Sequence, residues 1–194
     1  MSIDSNPKRA QILRTGKDLF WKFGVKRVTI GEICKEAGVS KMTFYKYFPN
    51  KVELAVHIFK QLYDEYYGYI EQLFSSDISF GEKLSGLIKM KLEAAENISM
   101  EIVRDMYQSK IPELIKLFED MQKKSLSMTL NFIVQGKKEG CIRGDFKNEF
   151  ILFQINQMIE LIRNDELLAL YNDTPTLTKN VLDYFFYGIL TREN

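Results

Sequence analysis

The stretch VTIGEICKEAGVSKMTFYKYF, residues 28–48, leaves the backbone few choices. Thr29 and Glu32 stand in the T-x-x-E spacing of a capping box, in which each side chain satisfies a backbone amide of the other at a helix start. Val28 and Ile33 flank it as the hydrophobic staple. Gly38 is suited to the left-handed residue that ends a helix, since only glycine adopts that conformation without a Cβ clash. Ser40 caps a second helix almost at once, with Val39 and Phe44 as its staple. Pro49 ends that helix, and Asn50 with Glu53 opens another. Two short helices joined by a Gly-Val-Ser turn have the spacing of a helix-turn-helix.

The remaining chain carries the same period. Ile12, Leu13, Gly16, Leu19, Phe20 and Phe23 mark one face of a first helix that stops near Gly24. The helix opened by Asn50 runs through Val52, Ala55, Ile58, Phe59, Leu62 and Tyr66 to about Phe74. Further helices are predicted at about 80–96, 98–108, from Pro112 to the GKKEGCIRGD turn, 147–170 and 176–190. Strand-like alternation is absent, and 194 residues contain only 4 prolines and 11 glycines. The reading is an all-α chain: an N-terminal three-helix helix-turn-helix domain over residues 1–51, joined to a helical bundle over 52–194.

The net charge of +1 conceals an asymmetry. Residues 1–51 hold 11 Lys+Arg against 4 Asp+Glu, and the remainder holds 16 against 22. A basic head on an acidic body suits a polyanionic partner, although charge alone leaves a solvated surface equally open. No apolar run reaches the roughly 20 residues of a membrane span, and the polar N-terminus lacks a signal-peptide core. Two cysteines, Cys34 and Cys141, do not make a disulfide framework, and Cys34 falls on an apolar helix face. A cytoplasmic protein without membrane attachment is expected. His57 is the sole histidine and cannot build a metal site of the usual type, and no catalytic constellation stands out; no metal, no cofactor and no enzymatic activity are expected.

At about 100° per residue, burial of Phe44 turns Met42 and Lys46 outward, with Thr43 and Tyr45 beside them and Lys41 at the helix start. Lys41, Met42, Thr43 and Lys46 combine donors, a hydroxyl and an apolar tip, a set suited to base edges in a major groove. Thr29, Ser40, Tyr45, Tyr47 and Lys51 supply hydroxyls and charge for the phosphates alongside. The alternative is a small helical bundle with a basic surface.

Over residues about 9–55 the text ILRTGKDLFWKFGVKRVTIGEICKEAGVSKMTFYKYFPNKVEL resembles the DNA-binding domain of TetR-family transcriptional regulators. The shared pattern runs from Phe-x-x-x-Gly through Thr-Ile-x-x-Ile-x-x-x-Ala-Gly-Val-Ser to Tyr-x-x-Phe-x-x-Lys-x-x-Leu. The resemblance implies phosphate contacts at Thr29, Tyr45, Tyr47 and Lys51 and base contacts at Lys41, Met42, Thr43 and Lys46. Met42 departs from the small residue often found at its position, which bears on the operator sequence. The resemblance also implies a ligand-binding and dimerisation body.

In that body Met90, Met106, Tyr107, Phe118, Met121, Phe153 and Gln157 are candidates for an adaptable apolar pocket, against the alternative that each is ordinary core. Phe150, Gln154, Val181, Phe185 and Ile189 are candidates for a homodimer seam between the last two helices and their copies. The expected function is a repressor that binds double-stranded DNA at a palindromic operator as a homodimer and is released by a small apolar or amphipathic effector. A corepressor-dependent regulator, an activator, or an all-α small-molecule binder or enzyme retaining the helix-turn-helix as scaffold are the alternatives.

Overall fold

A computed structural model describes residues 6–96, 99, 101–102, 105, 109–162 and 164–190. The helices among them are α1 (Pro7–Phe23), α2 (Ile30–Glu36), α3 (Lys41–Tyr47), α4 (Lys51–Ser75), α5 (Phe80–Ala95), α6 (Pro112–Lys138), α7 (Asn148–Ile162), α8 (Asp165–Ala169) and α9 (Thr174–Ile189). No strand occurs among the described residues; a single antiparallel bridge joins Ile142 to Leu190. The all-α expectation holds. The chain divides into two compact units, residues 1–68 with 97–118, and residues 69–96 with 119–194. Helices α4 and α6 each have residues in both.

In the first unit the local signals act where the sequence put them. Asn6 caps α1, its side-chain oxygen accepting from the amides of Lys8 and Arg9 at 3.1 and 3.3 Å. Thr29 and Glu32 form the reciprocal capping box of α2. Gly38 has φ +62°, the left-handed conformation the turn requires. Ser40 caps α3 by accepting the Thr43 amide at 3.1 Å, and Asn50 accepts the Glu53 amide at 2.9 Å at the start of α4.

Helices α1, α2 and α3 pack on one another around Ile12, Phe20, Val28, Ile33, Phe44 and Phe48, all buried. Each such side chain contributes about 1.5–3 kcal/mol by leaving water. Glycine at 16 lets α1 lie close on α4: a Cβ there would fall 2.9 Å from a Leu54 methyl. Trp21 and Phe118 both pack on the buried Phe59 ring, at centroid distances of 5.3 and 5.0 Å.

In the second unit α5 packs against α9. Three phenylalanines stack in sequence: Phe74 on Phe132 at 4.5 Å, and Phe132 on Phe80 at 4.4 Å, with interplanar angles of 11° and 13°. The turn after α6 closes through the ammonium of Lys137, which donates to the Phe146 carbonyl and to Asn148. The Arg143 amide donates to the Ile189 carbonyl at 3.0 Å and ties this turn to the end of α9.

One expectation is corrected here. The helix read as 147–170 is two, because the Asn164 side chain accepts the Leu167 amide at 3.0 Å and caps a new start. Of the seam candidates, Phe185 and Ile189 are 8% and 7% exposed within one chain. The exposed residues of α9 are Tyr184 and Tyr187, at 78% and 79%. The helix read at 98–108 falls largely outside the described residues.

Candidate nucleic-acid interface

Helix α3 is held by its apolar side. Phe44 is fully buried and Phe48 nearly so, their centroids 6.0 Å apart. His57 of α4 packs edge-on against Phe48 at 6.0 Å, and the guanidinium of Arg9 lies 5.4 Å over the other ring contact, the Phe48 face. Arg9 also donates to His57 Nε2 at 2.9 Å. Guanidinium has no acceptor, so His57 accepts at Nε2. The histidine thus packs under α3.

The opposite side of α3 is open. Met42 is 85% exposed and Tyr45 53%; Lys41 and Lys46 are exposed, while Thr43 and Tyr47 are half-buried. The Lys46 ammonium lies 5.9 Å over the Tyr47 ring, and Tyr45 meets Phe44 edge-on at 5.6 Å. The hydroxyls of Ser40 and Thr43 are within 3.0 Å, so they share a hydrogen bond at the helix start. Base-reading and phosphate-binding candidates on α3 therefore share one short helix, and its only buried side chain is Phe44.

Thr29 is exposed, but its hydroxyl is engaged: it donates to Glu32 Oε2 at 2.8 Å and accepts the Glu32 amide at 3.2 Å. The Thr29 hydroxyl and amide are also what hold the Glu32 carboxyl below its ordinary pKa, with smaller help from the cations of Arg27 and Lys51.

Lys51 has partners that the sequence did not show. An ammonium has three donors, and here they go to the carbonyls of Val25, Lys26 and Val28 at 2.8, 2.9 and 2.6 Å. The side chain is half-buried and braces the α1–α2 turn. This could not be read from sequence, because the partners lie 23 to 26 residues away and are backbone atoms.

Sequence reasoning also missed Asp105, whose carboxylate accepts the Lys26 amide at 3.1 Å. Arg27 was missed as well: its guanidinium sits 4.3 Å over the Phe23 ring beside this turn. Cys34 is buried, and burial raises its thiol pKa, opposed by nearby Lys41.

The pocket candidates fall in both units. Phe118 packs on Phe59 in the first unit. In the second, Met121 is buried, Met90 half-buried, Phe153 57% exposed and Gln157 exposed. Met106 and Tyr107 lie outside the described residues. Of the seam candidates, Phe150 is 46% exposed and Gln154 and Val181 are half-buried. Among the described residues no helix is long and apolar enough to cross a membrane.

Residues 12–58, which contain this interface, match the family described as bacterial regulatory proteins, tetR family. The chain is 24% identical over 149 residues to the HTH-type transcriptional repressor KstR2 of Mycolicibacterium smegmatis, covering 74% of this chain and 72% of that one. It is 23% identical over 191 residues to the fatty acid metabolism regulator protein of Bacillus subtilis, covering 94% and 96%. Among solved structures, the transcriptional regulator FadR of Bacillus subtilis in complex with stearoyl-CoA superposes with a TM-score of 0.68 at 20% identity, covering 93% of this chain and 99% of that one.

Proposed function

We propose that this chain, a TetR-family transcriptional regulator, represses its target genes by seating α3 in the major groove of a palindromic operator as a homodimer. The observation that carries this reading is the two-sidedness of α3. Phe44 and Phe48 anchor one side, and Lys41, Met42, Tyr45 and Lys46 stand clear on the other. Lysines can donate to guanine edges, and the Met42 thioether can lie against a thymine methyl. Ser40, Tyr45 and Tyr47 supply hydroxyl donors for the phosphate rails.

Helix-turn-helix dimers read half-sites about 34–36 Å apart, so the operator is a palindrome with about one turn between half-sites. The dimer forms through exposed aromatic side chains: Phe150 and Phe153 on α7, Tyr184 and Tyr187 on α9. Residues 1–51 act as the reading head and the rest of the chain as the ligand-binding and dimerisation body. The protein works in the cytoplasm, where its DNA is, and no catalytic step belongs to this reading.

The effector is a small apolar or amphipathic molecule that binds the body and favours a head spacing unfit for the operator. Support comes from the relatives: one regulates fatty acid metabolism by name, and one was solved with stearoyl-CoA, an amphipathic molecule. A 10- to 100-fold preference for one state corresponds to about 1.4–2.7 kcal/mol.

The experiment is selection of duplexes from fragmented genomic DNA by the purified chain, followed by titration of the selected duplex. A palindromic fragment bound as a dimer, with affinity falling steeply as salt rises, is the expected outcome. Failure to enrich any fragment would overturn the reading.

A further inference from the structure

We infer that Lys51 and Asp105 form a two-sided clamp on the α1–α2 turn, and that both position the DNA-reading surface without touching DNA. This rests on the DNA-binding reading above and changes the role of one of its residues. Lys51 is the first residue of α4, and its ammonium takes three carbonyls of the turn, those of Val25, Lys26 and Val28. To donate to a phosphate it would have to give up one of them. From the other side Asp105 accepts the Lys26 amide at 3.1 Å. A side chain at Gly24 would put its Cβ 2.8 Å from the same carboxylate oxygen, so the turn and Asp105 are in close approach. Ser99, six residues before Asp105, donates its amide to the Trp21 carbonyl at 3.0 Å near the end of α1. The end of α1 and the turn that follows it are thus held by Lys51 of α4, by Ser99 and by Asp105, all within one compact unit.

The turn leads directly into Thr29 and α2, and α2 packs on α3. A shift of the turn therefore moves the Thr29 phosphate candidate and, through α2, the reading helix. Charge supports the pairing. Burial lowers the pKa of the Lys51 ammonium, and the carboxylates of Asp105 and Glu32 act against that shift. Asp105 stands beside a strongly basic head that is to meet a polyanion, so electrostatics alone would make its removal neutral or favourable to DNA binding. A clamp requires the opposite.

The test compares full-length wild type with Asp105→Ala, Asp105→Asn and Lys51→Met. Each is titrated with the duplex selected by the wild-type chain over a range of salt, and Lys26 amide exchange is followed without DNA. Asp105→Ala is expected to weaken binding about tenfold despite losing a negative charge. Asp105→Asn keeps an acceptor oxygen and is expected to restore most of the loss. Lys51→Met should weaken binding while leaving the slope of log affinity against log salt unchanged, because a phosphate-binding lysine would take about one unit of slope with it. Lys26 exchange should quicken in both Asp105→Ala and Lys51→Met.

Binding by Asp105→Ala at or above the wild-type affinity would overturn the clamp, and so would a slope reduced by about one in Lys51→Met. Should Asp105→Ala fail to fold, the salt slope and the Lys26 exchange of Lys51→Met carry the same decision. The exchange readout needs no DNA: unchanged Lys26 exchange sinks the clamp alone, whereas a wild-type chain that selects no duplex sinks only the DNA-binding reading.

Discussion

Phe44 and Phe48 lie with ring centroids 6.0 Å apart beneath α3, both almost wholly buried, while Met42 on the same helix is 85% exposed. Burial and exposure are therefore divided along one seven-residue helix, and the proposed reading divides stability and recognition in the same way. Phe44→Ala should cost about 3–5 kcal/mol of stability, read as a lowered denaturation midpoint. Met42→Ala should leave stability within about 0.5 kcal/mol. Its effect should appear instead in which base pairs the selected duplexes share.

Acid should loosen the start of α2. The folded Glu32 carboxyl is held below its ordinary value, chiefly by the Thr29 hydroxyl and then by the Thr29 amide. A carboxylate with a depressed folded pKa contributes stability that is present above its unfolded value and is lost as pH falls through the folded one. The Thr29 amide resonance should shift with Glu32 across the range below pH about 4.3, the unperturbed glutamate value. Glu32→Gln should bring Thr29 to its acid-like exchange rate at neutral pH. Glu82, bonded to Ser79 in the same pattern at the start of α5, should behave likewise.

Gly136→Ala tests the stacked core of the second unit. A Cβ at this position would lie 2.5 Å from the Phe80 ring and 2.9 Å from an Ile142 methyl. Phe80 is itself stacked on Phe132, so it has little room to retreat. Alanine gains up to about 1 kcal/mol of helix propensity over glycine, but overpacking costs about 1–3 kcal/mol. A net loss of stability is expected in thermal unfolding; a rise in midpoint would show that the ring moves freely.

The exposed aromatic residues of α9 should govern association. Tyr184 and Tyr187 are almost fully exposed in the single chain, and large exposed apolar side chains mark interaction surfaces. Tyr187→Glu should shift the protein towards monomer in sedimentation, with unchanged helix content. Phe185→Ala, by contrast, should lower stability, since Phe185 is buried within the chain.

What was legible in the sequence was what is local. The caps at Thr29, Ser40 and Asn50 and the turn at Gly38 each act over three or four residues, so their spelling suffices. The apolar period located the helices but not every break: it runs through Asn164 although that side chain starts a new helix. Nor does the period say which side of the helix predicted at 176–190 faces inward. Within one chain Phe185 and Ile189 are buried and Tyr184 and Tyr187 exposed. Lys51 and Asp105 were beyond reach for another reason. Their partners are backbone atoms of a turn 23 to 26 and 79 residues away, and backbone atoms carry no sequence signal.

A groove-reading α3 stands or falls on titration of the selected duplex with Lys46→Ala and Tyr45→Ala, both substitutions lying on the exposed side where folding is undisturbed. Binding should weaken about tenfold or more in each, and Lys46→Ala should lose discrimination at one base position or about one unit of salt slope. Isotherms that overlay those of the wild type at every salt concentration would contradict it.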